Sequence, residues 1–315
     1  MTSTQETQKT IGRTRFERTL VVRGPYSLEE SATFGFGPYG DEGFDGTMRM
    51  TLTVDGDHDH AAGVAIRQDG NQLHLDVTTD ADAAAGDVIA AQVARILSVD
   101  VDGTGFADLG RRDEVIGALQ AAAPGLRPPQ FCSPYEATAW SVLSARIHTA
   151  QAAAIRARMS QRFGERFVVA GRTMFSFPGP TALLGVASVP GLNEVKIERL
   201  HAVARAALAG RLDIDRLLAM TPDDAMTDLR TLPGIGPFYA ALVVLRACGL
   251  VDALPLNEPR VRKLVHEVYG IDHELDDAEY TAFAERWAPY RMWASVLIRA
   301  ASGRLAPGSQ YRSGT

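Results

Sequence analysis

The sequence predicts an α+β protein in which an antiparallel sheet with one covering helix precedes a longer, all-helical part. Three observations predict it. Short β-rich runs with period-two alternation fill the stretch from Arg15 to Thr78. Past a Pro- and Gly-containing linker at 123–129 the sequence becomes mostly helical. Helix-start signatures then recur, beginning with Ser133-Pro134-Tyr135-Glu136.

In the first part the expected strands are Thr19 to Val22, Met48 to Val54, Gly63 to Ile66 and Leu73 to Val77, with a hairpin turn at Asp69-Gly70-Asn71. A helix from Ala85 to Leu97 presents Val88, Ile89, Val93, Ile96 and Leu97 on one side to cover that sheet. In Asp55-Gly56-Asp57-His58-Asp59-His60 the two histidines suggest a metal, but a solvated turn is the preferred reading. The capping-box pattern at Ser133 opens a long helix to about Phe163, and Ala170-Gly171 marks a small hairpin between Phe167 and Phe177. Thr221-Pro222-Asp223-Asp224 and Asp276 to Glu279 open later helices. The expected organisation is a disordered lead-in over 1–13, an α+β domain over 14–126, a helical domain over 127–305 and a flexible tail over 306–315.

Composition excludes several classes. With 46% hydrophobic and 22% charged residues, the 315-residue chain is that of an ordinary globular protein. Its polar N-terminus lacks the apolar core of a signal peptide, so a cytoplasmic location is expected. Cys132 and Cys248 are too few for a four-thiolate iron–sulfur cluster or a disulfide framework. The net charge of −6 is unevenly spread: from Phe131 onward 21 Lys and Arg face 18 Asp and Glu, which puts the acidity in the first part. That distribution permits nucleic-acid binding without demanding it.

The most telling segment is Leu232-Pro233-Gly234-Ile235-Gly236. A Gly-x-Gly turn between helices lets backbone approach a ligand that a Cβ would hold away. At the start of the second helix, unpaired N–H groups and the positive dipole end suit a backbone phosphate. Pro237 fits the first helical position, and Phe238 to Leu245 continue as a helix apolar on most faces, which buries it between others. Arg246 interrupts the run, which is too short for a bilayer span. A tight turn that binds nothing is the competing reading of these five residues alone.

With these neighbours in order, the chain resembles the helix-hairpin-helix DNA glycosylase superfamily, and most closely its bacterial 3-methyladenine glycosylase II type. Phe163-Gly164-Glu165-Arg166, Phe177-Pro178-Gly179-Pro180 and Trp287-Ala288-Pro289-Tyr290-Arg291 carry the resemblance together with the hairpin, over about Arg127 to Arg299. The sheet and helix resemble, more loosely, the family's TATA-binding-protein-like first domain. The resemblance implies a monofunctional enzyme that flips alkylated bases such as 3-methyladenine out of damaged double-stranded DNA and hydrolyses the N-glycosidic bond. It implies no cofactor in the chemistry, and a monomer without membrane contact is expected. A non-catalytic damaged-DNA-binding protein of the same fold is the alternative, and a helical protein without DNA function a weaker third.

Residue roles follow from the same resemblance. Glu258, just before Pro259, falls at the position of the essential carboxylate, where the family has Asp; Asn257 is the competing position. Arg146 falls at the wedge position that fills the gap left by the extruded base, with a solvent-facing Arg as the bland reading. Gly234, Gly236 and Tyr239 are expected to offer amides to a phosphate, and the carbonyls of Arg230, Leu232 and Gly234 to hold a monovalent cation. Arg260, Arg262 and Lys263 are further phosphate candidates, with a solvated helix face as the alternative. Phe238 stands where bifunctional relatives carry a Schiff-base Lys, which argues against a lyase step and suits either stacking on a base or core packing. Trp287, Tyr290 and Trp293 are expected to pack, while Arg299 and Ala300 replace family aromatics.

Overall fold

A computed structural model describes residues 13–34, 43–82 and 84–305; the expected lead-in, apart from Arg13, and the expected tail lie outside them. The chain opens with β1 (Thr14–Val21) and the short α1 (Leu28–Ala32), then β2 (Met48–Val54), β3 (Asp57–Asp69) and β4 (Gln72–Thr79). These strands form an antiparallel sheet in the order β1-β4-β3-β2. Met50 pairs with Val64 and Val64 with Val77, so one face is apolar throughout. The helix α2 (Ala85–Ile96) covers that face with Ile89, Val93 and Ile96, and Leu97 follows at its end.

The strands outrun their apolar pattern. β1 begins at Thr14 because the backbone ladder of β4 extends pairing through polar residues, and β3 reaches back to Asp57, which pairs with Val54 across a register shift. Val88 does not face the sheet; it is 44% exposed. The turn falls at Asp55-Gly56, where Gly56 has φ +79°, so His58 and His60 lie in β3 rather than in a solvated turn. His58 is buried and stacks on Tyr135 at 5.3 Å.

Beyond α2 come α3 (Thr104–Arg112) and α4 (Glu114–Ala122), and here the division of cores differs from the expected boundary at 126. Phe106, Leu109, Ile116 and Leu119 share a core with Val265, Trp287 and Trp293 near the other end of the chain. Arg127 fixes this junction. Its guanidinium donates to the carbonyls of Pro25 (3.0 Å), Ser98 (3.0 Å), Val101 (2.9 Å) and Arg23, and it lies over the rings of Tyr26 and Trp293.

The expected long helix from Ser133 is two helices, α5 (Pro134–Ser144) and α6 (Thr149–Phe163). The Ser133 side chain accepts from the Glu136 N–H as expected, but the Glu136 carboxylate turns away to the Thr53 N–H (3.0 Å) and Arg156 (2.6 Å), so the reciprocal arm of the capping box is replaced by a tie to β2. The small hairpin forms as expected, from β5 (Arg166–Val169) and β6 (Arg172–Phe175), with positive φ at Ala170 and Gly171. It packs on the sheet face opposite α2, where Phe167 and Val169 meet Ala61 and Ala65. A Cβ at Gly63 would come within 2.7 Å of Val169, so glycine there admits the hairpin.

The remaining elements are α7 (Pro180–Leu184), α8 (Glu194–Leu208), α9 (Ile214–Leu218), α10 (Pro222–Leu229), α11 (Pro237–Ala247), α12 (Pro259–Tyr269), α13 (Asp277–Ala284) and α14 (Arg291–Ala301). Thr221 caps α10, and Asp276 with Glu279 closes a capping box on α13. Apolar residues of α5, α8 and α11 form a separate helical core. No described helix is long and apolar enough to cross a membrane.

Replacing Arg127 by Met keeps the stem but orphans carbonyls that water cannot reach. The expected loss of stability is at least about 3 kcal/mol, read from the urea midpoint at constant slope. A midpoint within error of the parent's would show that the junction does not depend on this side chain.

Candidate active site and nucleic-acid interface

The hairpin between α10 and α11 is built by two different glycines. Gly234 has φ +90°, and a Cβ there would lie 2.8 Å from the Arg199 stem, so the turn itself requires glycine. Gly236 precedes Pro237 with φ −90° and ψ −179°, extended backbone open to any residue, and a Cβ on it would meet nothing within 4 Å. Its smallness therefore serves the space outside the chain. Among the described residues the amides of Gly234, Gly236, Phe238 and Tyr239 find no backbone acceptor; the Ile235 N–H is taken by the Leu232 carbonyl at 3.1 Å. That carbonyl retains one lone pair, and together with those of Arg230 and Gly234 it would supply a donor set of the kind a monovalent cation accepts.

Just past Ser144, which bonds to Tyr239 in the first turn of α11, is the loop 145–148 between α5 and α6, which carries Arg146. This residue is exposed and left-handed at φ +59°, an unusual backbone for a side chain without a local hydrogen-bonding group. Lys196 on α8 holds the loop: its ammonium donates to the carbonyls of Leu143 (2.7 Å) and Ala145 (2.9 Å). Burial, and then the neighbouring charge of Arg199, hold the Lys196 ammonium below the usual lysine range. Tyr239 connects loop and hairpin by accepting from the Ser144 hydroxyl at 3.4 Å.

A cleft lies behind the hairpin between α11, α12 and α14, lined by Phe238, Leu242, Arg246, Asn257, Glu258 and Arg299 among others. Glu258 occupies the cap position of α12 but makes no side-chain cap bond. Its carboxylate turns into the cleft and meets the Arg299 guanidinium at 3.0 Å, with 15% of the Glu258 side chain exposed. Asn257 is exposed at the same rim. Arg246 is buried, with its guanidinium on Gln130 (3.2 Å) and the Pro129 carbonyl (2.5 Å). Burial first and the Arg299 charge second pull the Arg246 pKa down to about 10, against the opposing pull of Glu258. The cleft thus joins two guanidinium groups to one carboxylate.

Phe238 is 42% exposed on the cleft wall and meets Tyr239 edge-on at 5.2 Å. Trp287 and Trp293 are fully buried, with half-buried Tyr290 against Trp293 at 5.6 Å. Arg260 is exposed and has no ion pair among the described residues. Arg262 is committed to its own fold, bonding to the carbonyls of Leu275 and Leu256 and to Asp277. Lys263 pairs with Glu267 at 3.8 Å along the helix. Sequence reasoning missed Lys196, which no local pattern distinguishes, and the Glu258–Arg299 pair. Arg246 did leave a signal, as a single charge inside an apolar helix.

A sheet followed by helices that carry this hairpin is also the arrangement found in helix-hairpin-helix DNA glycosylases of known structure, so the chain shares their fold. In sequence the chain is similar to bacterial 3-methyladenine glycosylases. It is 29% identical over 187 residues to DNA-3-methyladenine glycosylase 2 of Escherichia coli, covering 58% of this chain and 63% of that one, just under two thirds of the relative's length. It is 24% identical over 205 residues to the DNA-3-methyladenine glycosylase of Bacillus subtilis, covering 64% of this chain and 67% of that one. The structure superposes on the 3-methyladenine DNA glycosylase from Archaeoglobus fulgidus with a TM-score of 0.73, at 20% identity over 89% of this chain and 96% of that one. No protein-family model matches the chain.

Lys196→Met should release the 145–148 loop, because the Leu143 and Ala145 carbonyls lose a charged donor worth roughly 1.5–3 kcal/mol. Hydrogen exchange should then quicken at Ile147, whose N–H is held by the Ser144 carbonyl at 3.3 Å. Unchanged protection there would mean that the loop holds itself.

Proposed function

We propose that the protein is a monofunctional DNA glycosylase of base-excision repair that removes alkylated bases such as 3-methyladenine from damaged double-stranded DNA, acting as a monomer on cytoplasmic, nucleoid-associated DNA. The observation that carries the reading is the carboxylate of Glu258, which faces the cleft between the hairpin helix and α14 instead of capping its own helix. Similarity to two named 3-methyladenine glycosylases supports the substrate class.

In this reading the amides of Gly234, Gly236 and Tyr239 hold one phosphate of the lesion strand, with the hairpin carbonyls of Arg230, Leu232 and Gly234 around a monovalent cation that adds positive charge there. Arg260 supplies a second contact; Arg262, already bonded three ways, serves chiefly to hold α12. Arg146 enters the gap left by the extruded nucleotide, and the base enters the cleft against Phe238. As the N-glycosidic bond lengthens, its electron pair leaves with the base and positive charge grows on the sugar. The Glu258 carboxylate stabilises that charge and orients water, whose oxygen bonds to the anomeric carbon while its proton passes to the carboxylate or the departing base. Phe238 has no amine, so no Schiff base forms there and the product is an abasic site.

Arg299 sets a condition on this mechanism. A guanidinium 3.0 Å from Glu258 opposes the field that the carboxylate exerts on the sugar, so the pair must loosen when the nucleotide enters. Asn257, the alternative at the carboxylate position, carries no formal charge to offer in its place.

Glu258→Gln removes the charge and keeps the shape. Base release from a methylated-purine duplex in single turnover should fall by about a hundredfold or more, with binding of the same duplex retained. Release at the parent rate would dispose of the carboxylate assignment. A parent protein that binds the duplex but releases no base, and whose binding Glu258→Gln leaves unchanged, would instead mark a binding-only protein.

A further inference from the structure

Arg199, in the middle of α8, lies against the hairpin but is absent from every motif that marks it. A Cβ built on Gly234 would sit 2.8 Å from Arg199 Cδ, 3.0 Å from Nε and 3.2 Å from Nη1, so stem and guanidinium lie flat on the turn. Among the described residues Arg199 makes no hydrogen bond or ion pair, although it is half-buried. Neither neighbouring turn of its helix offers a carboxylate at the facing positions: Lys196 and Val203 stand there with Val195 and Ala202. Asp228, on the helix leading into the hairpin, is consumed by Arg211 and Arg216 at 3.0 Å each. Lys196 feels Arg199 as an uncompensated like charge.

A cation held in place without an acceptor is poised for one that arrives. The acceptor must be an anion small enough to reach the turn, since the hairpin amides open on the same turn and Gly236 leaves it unshielded. A guanidinium offers two parallel donors, which matches the two non-bridging oxygens of a phosphodiester. We propose that Arg199 is a direct ligand of the phosphate bound by the hairpin, so that this phosphate is held by a formal charge as well as by backbone dipoles. This rests on the hairpin being the phosphate site, as in the proposed function. The assignment gives α8 two tasks on one face: Lys196 fixes the loop of Arg146, and Arg199 fixes the strand a short distance away.

Salt dependence tests it, because each neutralised phosphate adds about 0.9 to the slope of log K against log salt. The measurement is fluorescence anisotropy of the full chain on an undamaged duplex and on one carrying a methylated purine, across a salt series. Arg199→Met, which keeps the packed stem, should lower the slope by about 0.9 and weaken binding roughly tenfold at fixed salt on both duplexes alike. Arg199→Lys, which keeps a point charge, should restore most of the slope. Gly236→Asp, which sets a carboxylate against the phosphate, should abolish binding and thereby tests the hairpin separately. An unchanged slope in Arg199→Met, beside lost binding in Gly236→Asp, would overturn the role of Arg199 alone. A Lys variant with the same reduced slope as the Met variant would do so too. Unimpaired binding by Gly236→Asp would remove the hairpin reading and Arg199's role with it.

Discussion

Arg246 carries a constraint on which the rest of the site depends. It sits on the one helix whose first turn is the hairpin and whose flank is the cleft, and it is 7% exposed. The Phe131 N–H donates to its carbonyl at 2.9 Å, while its guanidinium holds the Pro129 carbonyl and Gln130. A buried guanidinium is costly unless its donors are met, so α11 is fixed in azimuth and depth by the need to satisfy one side chain. The open amides of the hairpin and the cleft wall inherit that fixed position. Arg95 adds a second tie, donating to the Ala247 carbonyl at the end of the same helix and pairing with Asp55 at 2.5 Å.

The electrostatic design also separates two uses of positive charge. Arginines in the interior, Arg127 and Arg246, are spent on backbone carbonyls and hold layers together. Arg146 in the 145–148 loop, Arg199 on α8 and Arg260 on α12 lack carboxylate partners among the described residues. An acidic chain can keep such cations unpaired because many of its carboxylates are already paired, as Asp228 is with Arg211 and Arg216. The overall charge of −6 is thus a poor guide to what the hairpin side attracts.

Much of the fold is legible in the sequence. The sheet and α2 are, because one buried face imposes a period that survives without any tertiary information. The start of β3 is not, since Asp57 joins the sheet through Val54 across a register shift that takes up His58, Asp59 and His60, and no alternation marks such a shift. The break at 145–148 is equally hidden: Ser144-Ala145-Arg146-Ile147-His148 contains no Gly or Pro, and the interruption is stabilised by Lys196 from a helix about fifty residues away. At the candidate site, Gly234 and Gly236 mark the turn by their own spacing, while Glu258 is singled out only through the resemblance, with Asn257 competing for the same position. The Arg299 partner of Glu258 was not, because a contact across 41 residues leaves no local trace.

Gly63 has a consequence for how the molecule comes together. Because it lacks a side chain, the β5–β6 hairpin, about a hundred residues further along, closes the second face of the sheet and buries Phe167 against Ala61 and Ala65. The sheet is therefore finished only when chain from the helical part returns to it. Contacts of such sequence separation carry a large loop-closure cost before they stabilise anything, which makes the docking of this hairpin a later step than the pairing of β2, β3 and β4 through their short turns. During synthesis the small patch at Ala61 and Ala65 stays uncovered until residues 166–175 have left the ribosome.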